Sequence, residues 1–208
     1  MNSQRRRSGR AIGSRQHNLT VYTVVAASLL GLTACTNVII PPPAPPEPKS
    51  VFVLDHGRHA SLVLPAADSG MVRYAYGDWR YYAQWQTGVV ETTGAVVWPT
   101  TAALGRRELR TPATPAGVRA AVQVGIEHLY EVTVDKRAIR RLRGQLDAVF
   151  QANLATRLYN PAYDLEFVHH PDAYTIIHNS NRVVARWLQD LGCQVSGPLL
   201  FSRWQVKR

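Results

Sequence analysis

His59 heads an apolar strand just after a glycine turn, and Ser180 opens a helix inside His178-Asn179-Ser180-Asn181-Arg182. An imidazole on a strand and a hydroxyl at a helix N-terminus are a base and a nucleophile. The helix end adds free amides and the positive end of a dipole, which favour a developing oxyanion. The chemistry this pairing predicts is hydrolysis or acyl transfer at an amide or ester. Asp78, after Gly77, is the residue expected to orient His59. A working pair must lie within about one hydrogen bond or one bridging water. Each residue also has a plainer use. Serine is among the best helix caps, a histidine at a turn is ordinary, and aspartate after glycine is common turn chemistry.

The chain has two cysteines, Cys35 and Cys193. Cys193 is an alternative nucleophile, but it follows the helix-ending Gly192 and is expected to be a buried small hydrophobe. His56, His59, His169, His170 and His178 have no cysteine or acid at ligand spacing, and the His56–His59 step falls on a turn. Neither a metal nor a cofactor is expected. Trp79, Tyr81, Tyr82 and Trp85 are placed to line a sugar or acyl groove, or to fill a core.

Cys35 carries a different chemistry. Arg5, Arg6, Arg7, Arg10 and Arg15 precede the apolar run Val21 to Leu32, and Leu32-Thr33-Ala34 leads with small residues into Cys35. This is the layout of a secretory leader ending in a bacterial lipobox. The expectation is cleavage before Cys35 and acylation of its thiol and new amine, which holds a protein firmly to a bilayer. The competing reading is an uncut membrane helix over residues 20–40. Thr36, not aspartate, follows Cys35, which favours the outer membrane. The formal charge of +10 falls to about +5 once the leader and its five arginines are removed. No dense basic stripe with stacking aromatics remains, so nucleic acid is not an expected partner. A single remaining thiol excludes a disulfide framework within one chain.

These residues need elements to position them. Pro41 to Pro48 reads as a stiff, extended spacer between a lipidated Cys35 and the domain. The expected divisions are residues 1–34 as signal, 35–49 as anchor and linker, and 50–208 as one domain. Residues 51–54, 60–64, 71–76 and 89–98 read as strands. The three- and four-residue steps of Val118, Ala121, Val122, Gly125, Ile126 and Leu129 predict a helix over 115–130. A second helix is predicted over 135–154, with Arg140, Arg141 and Arg143 on its solvated side. A strand over 174–177, a third helix over 180–191 and a strand over 201–206 complete an α+β pattern.

Several segments together resemble a known family. Gly57-Arg58-His59-Ala60-Ser61 resembles a glycine-tryptophan-histidine-threonine-glycine strand, and Tyr76-Gly77-Asp78-Trp79 a glycine-aspartate block followed by aromatics. Ala95-Val96-Val97-Trp98-Pro99 is similar to an alanine-leucine-tryptophan-proline segment. Asn179-Ser180-Asn181-Arg182 followed by Gly192 resembles a cysteine-asparagine-threonine-tryptophan helix. The family is bacterial domain of unknown function 2459, often lipoproteins. The resemblance spans about residues 50–206 and rests on order and spacing. It implies a permuted NlpC-type, papain-like fold, with an antiparallel sheet packed against helices and the histidine before the nucleophile. Ser180 stands where that family has its cysteine, and Arg58 replaces its tryptophan. A helix N-terminus activates a thiol far better than a hydroxyl. The expected function is therefore a lipid-anchored envelope protein whose domain is a non-catalytic binding or assembly factor. The alternative is an envelope hydrolase or acyltransferase working through His59 and Ser180. Expected partners are membrane lipid and a cell-wall or envelope component, with the protein on the periplasmic side of the outer membrane.

Overall fold

The computed structural model describes residues 36–84, 99–175 and 177–207. The leader, Cys35, Trp85, the expected strand over 89–98 and its resemblance segment lie outside these residues, apart from Pro99. One compact unit runs from Thr36 to Arg208.

Ten strands and three helices are described. The strands are β1 (Asn37–Ile40), β2 (Pro48–Asp55), β3 (Ala60–Pro65), β4 (Met71–Asp78), β5 (Thr100–Leu109), β6 (His128–Asp135), β7 (Leu158–Asn160), β8 (Leu165–Tyr174), β9 (Gln194–Ser196) and β10 (Trp204–Val206). The helices are α1 (Pro115–Ala121), α2 (Lys136–Ala152) and α3 (Ser180–Asp190). The seven-stranded sheet has the order β6-β2-β3-β4-β5-β8-β7, and a three-stranded sheet has the order β10-β1-β9. Every neighbouring pair in the large sheet is antiparallel. The architecture is α+β, as the pattern of elements predicts.

Alternation along the strands divides the large sheet into two faces. Leu62, Leu64, Val72, Tyr74 and Tyr76 share one cluster with α2 and α3. Ile139, Leu142, Leu146 and Phe150 are the buried stripe of α2, and Val183, Val184, Trp187 and Leu188 that of α3. The opposite face is covered at one end by α1, whose Val118 meets Phe52, Leu54 and Val63. At the other end Ala75, Ala103 and Phe167 pack beneath Trp79, Tyr82 and Tyr163.

Three expectations change. The helix predicted over 115–130 stops at Ala121, and residues 128–135 form β6. Eight residues of β6 pair with β2, from Pro48 opposite Asp135 to Asp55 opposite His128. This ladder, together with the β-branched Val132, Thr133 and Val134, outweighs a weak helical period. The strand expected over 174–177 ends at Tyr174 and lies mostly upstream, as β8. The proline segment is not a free spacer. The domain starts before it, because Asn37–Ile40 pairs with both β9 and β10. The prolines are a short crossover to β2, tied down where Lys136 N donates to Glu47 O at 2.9 Å and Glu47 N to Asp135 Oδ2 at 3.2 Å.

Candidate functional site

The candidate site grows from the turn between β2 and β3. Asp55 Oδ1 accepts from Gly57 N at 2.8 Å, and His56 N donates to His59 O at 3.0 Å. Gly57 has φ +90°, a left-handed conformation open to glycine with little cost. A tight turn of this kind brings two imidazoles together. The rings of His56 and His59 stack with centroids 5.1 Å apart.

Arg73 organises this turn from below. It lies on β4 between Val72 and Tyr74 and is 1% exposed. Its Nε donates to Ser61 Oγ at 3.0 Å, and one terminal nitrogen donates to Tyr163 O at 3.0 Å. The other terminal nitrogen lies 3.1 Å from His56 Nε2. A guanidinium only donates, so His56 Nε2 is the acceptor. The proton of His56 therefore sits on Nδ1, which donates to Gly125 O at 2.6 Å. One arginine thus fixes the tautomer and the neutrality of His56. Burial and the Arg73 charge push the His56 pKa down to about 4, against the opposing pull of Gly125 O.

His59 is half-buried in an aromatic frame. Tyr82 and Tyr163 meet its ring edge-on, with centroids at 5.2 and 5.9 Å. Burial, then His56, then Arg73 drive its pKa down to about 3. Both imidazoles are neutral at neutral pH. Burial also raises the phenols of Tyr82 and Tyr163. An open hollow of about 620 Å³ lies against the turn, with Asp55, His56, His59, Tyr81, Glu127 and Arg203 among its walls.

Asp78 does not reach His59 by any hydrogen bond. It caps the π-helical turn Trp79–Ala83, with Oδ1 accepting from Tyr81 N at 2.8 Å and the other oxygen accepting from the Thr100 hydroxyl. The turn it caps carries Tyr82, whose ring meets His59. Tyr82 lies over Gly77, where a Cβ would stand 2.1 Å from the ring. Gly77→Ala should therefore push Tyr82 off His59 and lift the imidazole pKa by admitting water. NMR titration of His59 checks this, and an unmoved His59 titration in a folded variant would refute it.

Ser180 lies in a different layer. It is the first residue of α3 and 3% exposed, while the cap is Asn179, whose side chain accepts from Arg182 N at 3.0 Å. The plainer reading of Ser180 as the cap thus moves one residue upstream. The helix covers the face of Leu62, Tyr74 and Tyr76, whereas His59 packs on the face of Ser61, Arg73 and Tyr82. No hydrogen bond joins His59 to Ser180. The two segments are nonetheless neighbours, since the Asn181 side-chain amide Nδ2 donates to Arg58 O at 3.4 Å. The hydrogen bond expected between base and nucleophile is not formed, and the His59 ring instead packs against Tyr82 and Tyr163.

Cys193 is 5% exposed, and burial raises its thiol pKa to about 11. Trp79 packs on His169 at 4.2 Å and Tyr82 against Phe167, so these aromatics mostly build the core while Tyr81 lines the hollow. Among the described residues no three His, Cys, Asp or Glu side chains stand together as a metal site. Sequence reasoning missed Arg73 and Ser61, and took His56 only as a metal candidate. The available signal was an arginine inside Met71-Val72-Arg73-Tyr74-Ala75-Tyr76, where a charge interrupts an apolar strand. Comparison with protein-family models, curated proteins and solved structures finds no match in any of the three.

Proposed function

We propose that this chain is a lipid-anchored cell-envelope protein whose papain-like domain serves as a non-catalytic binding or assembly factor. The lack of a hydrogen bond between His59 and Ser180, with the His59 ring seated between Tyr82 and Tyr163, is the observation that supports a non-catalytic domain. A hydroxyl needs an oriented base to become a nucleophile. Here the imidazoles are committed elsewhere: His56 to Gly125 and Arg73, and His59 to an aromatic frame. The hollow beside them offers neutral imidazoles, a phenol and charges of both signs. Such a surface suits a polar envelope component with hydrogen-bonding groups of both kinds. The leader ending at Cys35 supports the anchor, and Thr36 after it supports the outer-membrane address.

A serine-reactive fluorophosphonate probe tests the reading. The expected outcome is no label on Ser180, and stoichiometric labelling that His59→Ala abolishes would restore the hydrolase or acyltransferase reading. Ser180→Cys sharpens the test, since a thiol there would report any activating field. It should alkylate no faster than a free cysteine peptide across pH 6 to 9, with Cys193→Ala as background. An apparent thiol pKa well below the free value of about 8.5 would overturn the non-catalytic proposal.

A further inference from the structure

The loop between β9 and β10 carries two side chains that a water-facing loop has no use for. Leu200 is 48% exposed and Phe201 is 56% exposed, adjacent in sequence. They are held in place rather than left loose. Asn37 is fully buried, and its Nδ2 donates to Phe201 O at 2.7 Å while its Oδ1 accepts from Leu199 N at 2.9 Å. Asn37 N also donates to Arg203 O at 2.7 Å. On either side of this hold, Leu199 takes the left-handed φ of +56° and Ser202 is buried. The apolar pair is thus pinned outward by a buried amide on the first strand of the domain.

That amide belongs to the residue where the chain enters. Asn37 follows Cys35 by two positions, and extended chain spans at most about 3.6 Å per residue. A lipid on Cys35 would stand within about 7 Å of the residue that grips the Leu200–Phe201 loop. The proline segment, on the far side of β1, gives no clearance. We propose that Leu200 and Phe201 insert into the interface of the bilayer that holds the Cys35 lipid, docking the domain flat on the membrane instead of on a stalk. This rests on the lipidation reading above. The exposed Arg203 follows the loop and shares the hollow's rim with the exposed Arg58, and their stems can lie along the interface with the guanidinium at the phosphates. The hollow with His59 then opens beside the headgroups. Glu127 on the same rim offsets part of the positive charge, so apolar insertion, not anionic-lipid attraction, leads.

The test uses the full chain, processed in a bacterial host and reconstituted in phosphatidylethanolamine–phosphatidylglycerol vesicles. An environment-sensitive fluorophore is placed by Phe201→Cys, by Leu200→Cys and, as control, by Asp68→Cys in the β3–β4 turn. Cys193 is too buried to compete for the label. Mass spectrometry of the same samples reads the state of Cys35. The expected result is a blue shift at 200 and 201, and severalfold stronger quenching there by shallow nitroxide lipids than at 68. Acylated Cys35 with labels at 200 and 201 as water-exposed as at 68 overturns the docking and leaves the anchor standing. Unacylated Cys35 overturns the anchor and the docking with it. A blue shift that appears on concentrating the protein in detergent without vesicles assigns the loop to a second copy and also overturns the proposal.

Discussion

Taking the protein from pH 7 to pH 4.5 should cost on the order of 2–4 kcal/mol of folding stability. The cause is the pair of imidazoles at the β2–β3 turn. His56 is held down to about 4 and His59 to about 3, from an ordinary 6.5. The folded values are depressed, so the sign is fixed. Above pH 6.5 neither the folded nor the unfolded chain binds these protons, and stability is complete. Between 6.5 and 4 the unfolded chain binds them and the folded chain does not, so stability falls as pH falls. Two units of pH on two imidazoles would give about 5 kcal/mol with no solvent screening, so the expected range lies below that ceiling. The lower end reflects the part of each half-buried ring that water still screens. His170, also depressed by burial, adds in the same direction. Urea unfolding at pH 7, 5.5 and 4.5 measures the effect, and His59→Gln should flatten the profile. A urea midpoint unchanged between pH 7 and 4.5 would mean that both rings are freely solvated.

Arg73→Ala should destabilise the fold by about 3–5 kcal/mol at pH 7. The substitution leaves a void in the sheet's second face and strips donors from Ser61 Oγ, Tyr163 O and His56 Nε2. Two smaller changes separate the causes. Arg73→Met fills most of the space and removes a buried charge, so it should cost clearly less than alanine. Arg73→Lys keeps the charge but not the planar fork that reaches three acceptors, so it should not restore stability. The pH profile gives an independent reading. With the cation gone, His56 and His59 should titrate nearer 6.5, and the loss between pH 7 and 4.5 should shrink in the alanine and methionine variants but not in lysine. Equal stability and equal pH slope across all three would show that Arg73 is a passenger.

The two readings bear on each other at the site. An arginine buried among neutral acceptors keeps the neighbouring imidazoles uncharged and in one tautomer. That suits a fixed recognition surface better than a base that must cycle through its protonated form.

Much of the scaffold was legible because its signals are local. The runs at 51–54, 60–64 and 71–76 show up as β2, β3 and β4, extended by one to three residues at their ends. The apolar stripes of Ile139, Leu142 and Leu146, and of Val183, Trp187 and Leu188, read correctly as α2 and α3. Helical period and strand alternation are written within a few residues, so the chain carries them openly. β5 was missed because Arg106, Arg107 and Glu108 look like loop residues. They tolerate a strand only because Asp147 and Asp164 neutralise the two arginines from elsewhere. β6 was misread because its partner, β2, lies some eighty residues away.

Residue type and local pattern specify the groups with chemistry and the short elements that carry them: a histidine at a strand start, a serine at a helix start, a lone thiol at a helix end. Which of these groups meet is set by strand pairing between distant parts of the chain. Antiparallel pairing of β3 with β4 puts Ser61 and Arg73 on the face opposite Leu62 and Tyr74, because a single residue of strand parity sends a side chain to the opposite side of the sheet, and the His59 ring joins Tyr82 and Tyr163 rather than Ser180. The same pairing brought Arg73 beneath His56, twelve residues from Ser61 and ninety from Tyr163, a meeting no local pattern encodes. Parity and long-range register are properties of the assembled sheet, and they place two neutral imidazoles over one buried arginine.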